Sequence, residues 1–287
     1  MDTKEILKKV RAIEIKTRRL SDHIFSGEYQ TSFKGRGMSF SEVREYSVGD
    51  DVRGIDWNVT ARFNTPYVKV FEEERELTMM LLVDVSASEV FGTRVQKKNQ
   101  MITEICAVLA FSAIKNNDKV GVLFFSDKVE KYIPPKKGKT HILRIIRELL
   151  DFKADSKGTN ISQALGYMSN MLKKKAISFL ISDFMAQGYE KPLSVVSQRH
   201  DITAIKVNDY HDANLPDIGW AKLCDPESGK KTWVDTSSKQ MQRLYTDQFN
   251  SYKEYFEKTC NKSGTGKIEI KTDQSYVKAL LAYFKKR

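Results

Sequence analysis

The sequence predicts a doubly wound α/β domain with a mostly parallel sheet, preceded by a small module of one helix and short strands. Three observations carry this: apolar runs at 77–83, 120–125 and 176–181, helical stripes between them, and a change of texture near residue 77. Apolar runs without polar alternation suit strands covered on both faces, as in parallel sheets whose crossovers are helices.

In chain order, residues 3–20 place Ile6, Leu7, Val10, Ile13, Ile15 and Leu20 among charged residues, the spacing of an amphipathic helix that Thr3 can cap. From 27 to 76 the text breaks into short alternating segments punctuated by Gly35, Gly37, Gly49-Asp50-Asp51, Gly54 and Asn64-Thr65-Pro66, a β-rich module. Residues 1–76 are therefore read as one domain and 77–287 as another. The second opens with a strand at 77–83, a helix over 95–115 and a strand at 120–125. Helices at 141–150 and 161–173 lead to a strand at 176–181, and a helix at 191–198 precedes a strand at 202–207. A hairpin (221–223 with 232–234), a long helix over 238–259, a strand at 268–271 and a helix over 274–285 complete it.

Composition narrows the class. Of 287 residues 40% are hydrophobic, enough for a core. The longest apolar run, 79–83, is far short of the roughly 20 residues that span a bilayer, and the amino terminus lacks a signal peptide's apolar stretch. A cytoplasmic protein without membrane insertion is expected. Cys106, Cys224 and Cys260 are too dispersed for a zinc module and odd in number, which makes them core thiols. Residues 1–76 carry 14 basic and 14 acidic side chains, so the whole net charge of +11 lies beyond them. A basic half can meet nucleic acid. Its lysines are scattered, though, and the clusters Lys136-Lys137-Lys139 and Lys173-Lys174-Lys175 sit beside turns or a helix end, so nucleic acid is not an expected partner.

In doubly wound sheets ligands bind beyond the carboxyl ends of strands, where the winding reverses. After the first strand comes Asp84-Val85-Ser86-Ala87-Ser88, a carboxylate and two hydroxyls at alternate positions. Thr159 lies in the loop Lys157-Gly158-Thr159-Asn160 before a helix, and Asp183 follows the strand at 176–181. Each alone is an ordinary helix cap or turn residue. If the first and fourth strands of the winding are neighbours, Asp84, Ser86, Ser88, Thr159 and Asp183 meet, and hard oxygens in that number suit a divalent cation.

Asp-x-Ser-x-Ser at 84–88, with Thr159 and Asp183, resembles the metal-ion-dependent adhesion site of a von Willebrand factor A domain. The resemblance implies Mg²⁺, with Mn²⁺ or Ca²⁺ as substitutes. It implies Ser86 and Ser88 as direct ligands, Thr159 as a ligand that depends on conformation, and Asp84 and Asp183 acting largely through water. The position left open takes an Asp or Glu of a partner protein. The stretch Gly35-Arg36-Gly37-Met38-Ser39-Phe40-Ser41-Glu42-Val43-Arg44-Glu45-Tyr46, with Gly49-Asp50-Asp51-Val52-Arg53-Gly54-Ile55-Asp56-Trp57 and Thr60-Ala61-Arg62, resembles the bacterial family called domain of unknown function 58. Members are typically encoded beside MoxR-type AAA+ ATPases, which implies an adaptor or partner role in a chaperone-like or stress-related system. Where members often carry Met after the second Ser, this chain has Glu89, a carboxylate able to compete for the ion.

Read without the family, Arg44, Asp50, Asp51, Arg53, Asp56 and Arg62 are salt-bridge formers that hold a module with little core, Trp57 is its main anchor against the neighbouring domain, and the cluster Glu72 to Glu76 is a solvated strand end. A non-catalytic, metal-dependent interaction module is the expected function, since no nucleophile or base accompanies the oxygens and His23, His141, His200 and His211 fall away from Asp84. The rival is a metal-dependent hydrolase or phosphatase. A haloacid-dehalogenase-type enzyme, however, needs a second Asp where Ser86 stands. Nucleic-acid binding ranks third.

Overall fold

The computed structural model describes residues 39–72, 77–90, 97–225 and 229–286. The helix expected over 3–20, and the side chains of Glu72 to Glu76 and Glu89, lie outside the described residues. Two units compose the chain, one within Phe33–Leu77 and one containing Thr78–Arg287.

In the smaller unit β1 (Ser39–Glu45) pairs antiparallel with β2 (Tyr67–Glu72), Arg44 opposite Val68. Between them a single 3-10 turn (Val52–Gly54) is capped by Asp51. Helix α1 (Trp57–Phe63) is capped by Asp56, whose carboxylate accepts from the Asn58 and Val59 N–H groups. Asn64, at φ 57°, closes α1 in the left-handed conformation that asparagine tolerates. Arg44 grips Asp50 with both guanidinium nitrogens, at 2.8 and 2.6 Å, and Lys69 reaches Asp56 at 3.3 Å. Arg44, Asp50 and Asp56 thus form ion pairs, and Asp51 and Asp56 cap the two short helical turns. Trp57, the first residue of α1, is 68% exposed, and Val68 is the buried apolar side chain among the described residues of this unit.

The larger unit is a six-stranded sheet, formed by β3 (Thr78–Asp84), β4 (Lys119–Phe125), β5 (Val129–Lys136), β6 (Ile177–Ser182), β7 (Asp201–Asn208) and β10 (Gly266–Lys271) in the order β10-β7-β6-β3-β4-β5. All neighbours are parallel except β4 and β5. The fold class is therefore doubly wound and mostly parallel. Helices α2 (Lys98–Lys115), α3 (Lys139–Asp151), α4 (Ile161–Met171), α5 (Glu190–Arg199), the short α6 (Tyr210–Ala213), α7 (Lys239–Ser263) and α8 (Tyr276–Lys286) connect and flank it, with a hairpin of β8 (Trp220–Cys224) and β9 (Lys231–Asp235). The long helices start and stop within four residues of the positions read from periodicity.

Strand β5 is a departure, because the sequence reading assigned nothing between 125 and 141. Pro134 and Pro135 mask it: proline has no N–H to give a ladder and is tolerated only at a sheet edge, which is where β5 lies. On one face of the sheet Met80 and Leu82 pack with Leu165, Leu193, Phe256 and Cys260. On the other, Phe179 of β6 meets Phe284 of α8 edge-on at 6.3 Å. Cys106 and Cys260 are core thiols as expected, whereas Cys224 is exposed at the end of β8. Among the described residues no helix is long and apolar enough to cross a membrane.

Candidate metal-ion site

The winding reverses between β3 and β6: from β3 the chain moves to β4 on one side, and β6, β7 and β10 then build the other. That reversal opens a crevice at the carboxyl ends of the central strands. Register sets what stands there. Val83 lies opposite Ile181 and Ser182 opposite Lys206, so Asp84, Ser182 and Lys206 stand level on three adjacent strands, and Asp183 follows one residue beyond.

Asp84 ends β3 and is 2% exposed. Its Oδ1 accepts from the Ser86 N–H at 2.9 Å, a local turn that folds the loop back over the strand end, and its Oδ2 accepts from the Ser182 hydroxyl at 2.6 Å. The Ser86 and Ser88 hydroxyls are 3.0 Å apart and bonded to each other. The Ala87 N–H donates to the Lys157 carbonyl at 3.1 Å, and the Asn160 N–H to the Ser126 carbonyl at 2.8 Å. These two bonds tie the loop that carries Thr159, itself half-buried, to the ends of β3 and β4. Asp183 is 2% exposed and its Oδ1 accepts from the Met185 N–H at 3.2 Å. The Ser88 hydroxyl bonds its carboxylate too. Asp84, Ser86, Ser88 and Asp183 thus form one connected group, and Thr159 is brought to the same end of the sheet through its backbone neighbours.

Electrostatics separates the two aspartates. Burial, and then the negative charge of Asp183, pushes Asp84 up to about 7, against the pull of hydrogen bonds from Ser182 and Ser86. Burial acts on Asp183 in the same direction, but the Lys98 ammonium, the Met185 N–H and the Ser88 hydroxyl outweigh it and hold Asp183 below the usual carboxylate range. The residue after Asp183 is strained. Phe184 has φ 53°, a region bulky side chains avoid, and it is held there by full burial against Phe256 and Tyr189 and by its N–H bond to Ser182 Oγ at 3.1 Å.

Four residues of this neighbourhood were not singled out from sequence. Ser182 is the last residue of a buried strand, and Asp212 sits in the short helix α6. Lys98 opens α2, is 1% exposed, and reaches Asp183 Oδ2 at 3.2 Å and Asp212 Oδ2 at 2.9 Å. Lys206 is fully buried, its Nζ has no hydrogen-bond partner among the described residues, and it lies over the rings of Phe249 and Phe256 at 5.6 and 5.5 Å. Sequence pattern offers no signal for Lys98: it follows Lys97, which is exposed, in a run that reads as a solvated helix start. Lys206 breaks the apolar run of β7 and is the one of the four that pattern flags as anomalous.

The donor set fits a hard divalent ion. Two carboxylates raise each other's energy inside a protein interior, and a dication between them relieves that repulsion, while the Ser86 and Ser88 hydroxyls lie beside them and bond Asp84 and Asp183. Among the described residues no group of three or more His, Cys, Asp or Glu could hold a metal, so an ion here depends on the hydroxyls. Among the histidines, His141 bonds the Val120 carbonyl and His211 the Asn214 carbonyl, while His200 is buried at the end of α5.

Residues 42–255 match the family described as "Protein of unknown function DUF58". The "Uncharacterized protein Rv1480" of Mycobacterium tuberculosis is 30% identical over 233 residues, covering 80% of this chain and 73% of its own. Among solved structures, an aerotolerance-related membrane protein from Bacteroides fragilis superposes with TM-score 0.50 at 14% identity, over 74% of this chain and 100% of that one, a likeness of fold. The SpRpn10 VWA domain gives TM-score 0.37 at 11% identity, over 74% and 95%.

Proposed function

We propose, from the premise that this chain belongs to the DUF58 family, that its α/β unit is a non-catalytic protein-interaction module that grips an acidic side chain of its partner through a divalent ion. The observation that carries this reading is the convergence of two buried carboxylates and two serine hydroxyls at the reversal of the winding. Asp84, Ser86, Ser88, Thr159 and Asp183 would hold the ion, Mg²⁺ by the hardness of its donors. When bound, the ion supplies a positive centre with an open position for an Asp or Glu. The chain's own residues prepare that centre: Ser182 orients the Asp84 carboxylate, the Met185 N–H orients Asp183, and Phe184 fixes the turn between them. A haloacid-dehalogenase-type hydrolysis needs a carboxylate two residues after Asp84, where Ser86 stands.

The partner we propose is a MoxR-type AAA+ ATPase, on the strength of the family resemblance. The test is a pull-down of such an ATPase by the full chain in Mg²⁺, in EDTA, and with Asp84→Ala. Recovery in Mg²⁺ that disappears in both other arms is the expected result. Recovery indifferent to chelator and to the substitution would move the partner contact to another face.

A further inference from the structure

The resemblance that suggests an ion does not anticipate Lys98. A lysine in the first turn of a helix is unfavourable there, since the helix's positive end repels it. Here it opens α2, an 18-residue helix whose N-cap residue makes no side-chain bond, and it is removed from solvent entirely. Its placement therefore serves the two carboxylates it touches, Asp183 and Asp212, which come from the ends of β6 and β7.

We infer that Lys98 is the site's resident counter-ion, a built-in rival that a divalent ion must displace from Asp183 toward Asp212. This rests on the metal reading above. The Lys98 ammonium lies 3.2 Å from Asp183 Oδ2 and 2.9 Å from Asp212 Oδ2, so an ion that takes Asp183 as a ligand competes with it for that oxygen. Lys98 thus sets how strongly these carboxylates hold an ion, because its ammonium leaves Asp183 as the ion arrives. Asp212 sets how easily the ammonium yields, because it is the closer of the two acceptors, at 2.9 Å against 3.2 Å.

The experiment is calorimetric titration of Mn²⁺ and Mg²⁺ into the full chain and into Lys98→Met, Asp212→Asn and Asp84→Ala. Removing one buried positive charge beside the ion is expected to tighten binding by about tenfold or more in Lys98→Met. Asp212→Asn leaves the ammonium to Asp183 alone and is expected to weaken binding by a similar factor. Equal affinity in Lys98→Met and the unaltered chain, with binding lost in Asp84→Ala, overturns the role of Lys98 and leaves the metal reading standing. Binding undiminished in Asp84→Ala, or no binding in any form, overturns both. If Lys98→Met does not fold, Asp212→Asn decides: affinity equal to or above that of the unaltered chain refutes the inference.

Discussion

Replacing Lys206 by methionine should stabilise the protein, and by an amount that depends on pH. The ammonium is fully buried, donates no hydrogen bond among the described residues, and burial drives it down from 10.5 to about 8 despite the attraction of Asp183 and Glu269. A lysine whose folded pKa lies below its unfolded one binds fewer protons in the native state between those values. Stability therefore rises with pH across that window, and the full penalty is felt below about 8. At about 1.4 kcal/mol per pKa unit the shift corresponds to about 3 kcal/mol at pH 7, falling below about 1 kcal/mol by pH 10. Attraction to the Phe249 and Phe256 rings offsets about 1 kcal/mol of the penalty at the lower pH. Methionine has similar length and fills the same space. Urea denaturation of both proteins at pH 7, 8.5 and 10 reads the difference. The expected gain is about 2 kcal/mol at pH 7, shrinking as pH rises. A destabilised variant at pH 7, or a gain constant across the series, would refute the reasoning, because the ammonium would then be paired in solution.

Three further outcomes follow from the geometry. Ser182→Ala removes the hydroxyl that donates to Asp84 Oδ2 and accepts from the Phe184 N–H, and should cost about 1–3 kcal/mol in a denaturation titration; an unchanged midpoint would mean water takes its place. Phe184→Ala loses a ring packed on Phe256 and Tyr189, and relieves little strain because alanine also avoids positive φ, so about 3–5 kcal/mol should be lost. Gly121→Ala puts a methyl 2.9 Å from Met80 Sδ and from the Pro135 nitrogen, and should destabilise by about 1–3 kcal/mol; a neutral result would show that β5 moves freely off β4.

The site was partly legible. Asp84, Ser86 and Ser88 sit within one short loop, so their spacing alone marks them as a group, and Asp183 follows an unmistakable strand. Lys98 was not legible, because its partners lie 85 residues away or more and a lysine at a helix start looks solvated. Val68 was not legible either, since nothing in the short alternating segments sets it apart as the buried apolar side chain of β2.

Local patterning determined the winding: apolar runs free of alternation demand cover on both faces, and the helical stripes between them supply it. Cross-strand register, which no local pattern encodes, decided the rest. It set Ser182 beside Lys206 and Ser182's hydroxyl on Asp84, and it brought two ammonium groups into the neighbourhood of three carboxylates. Charges so placed act across space rather than along the chain, and in a dry interior their mutual energy is large enough to move one another's protonation equilibria.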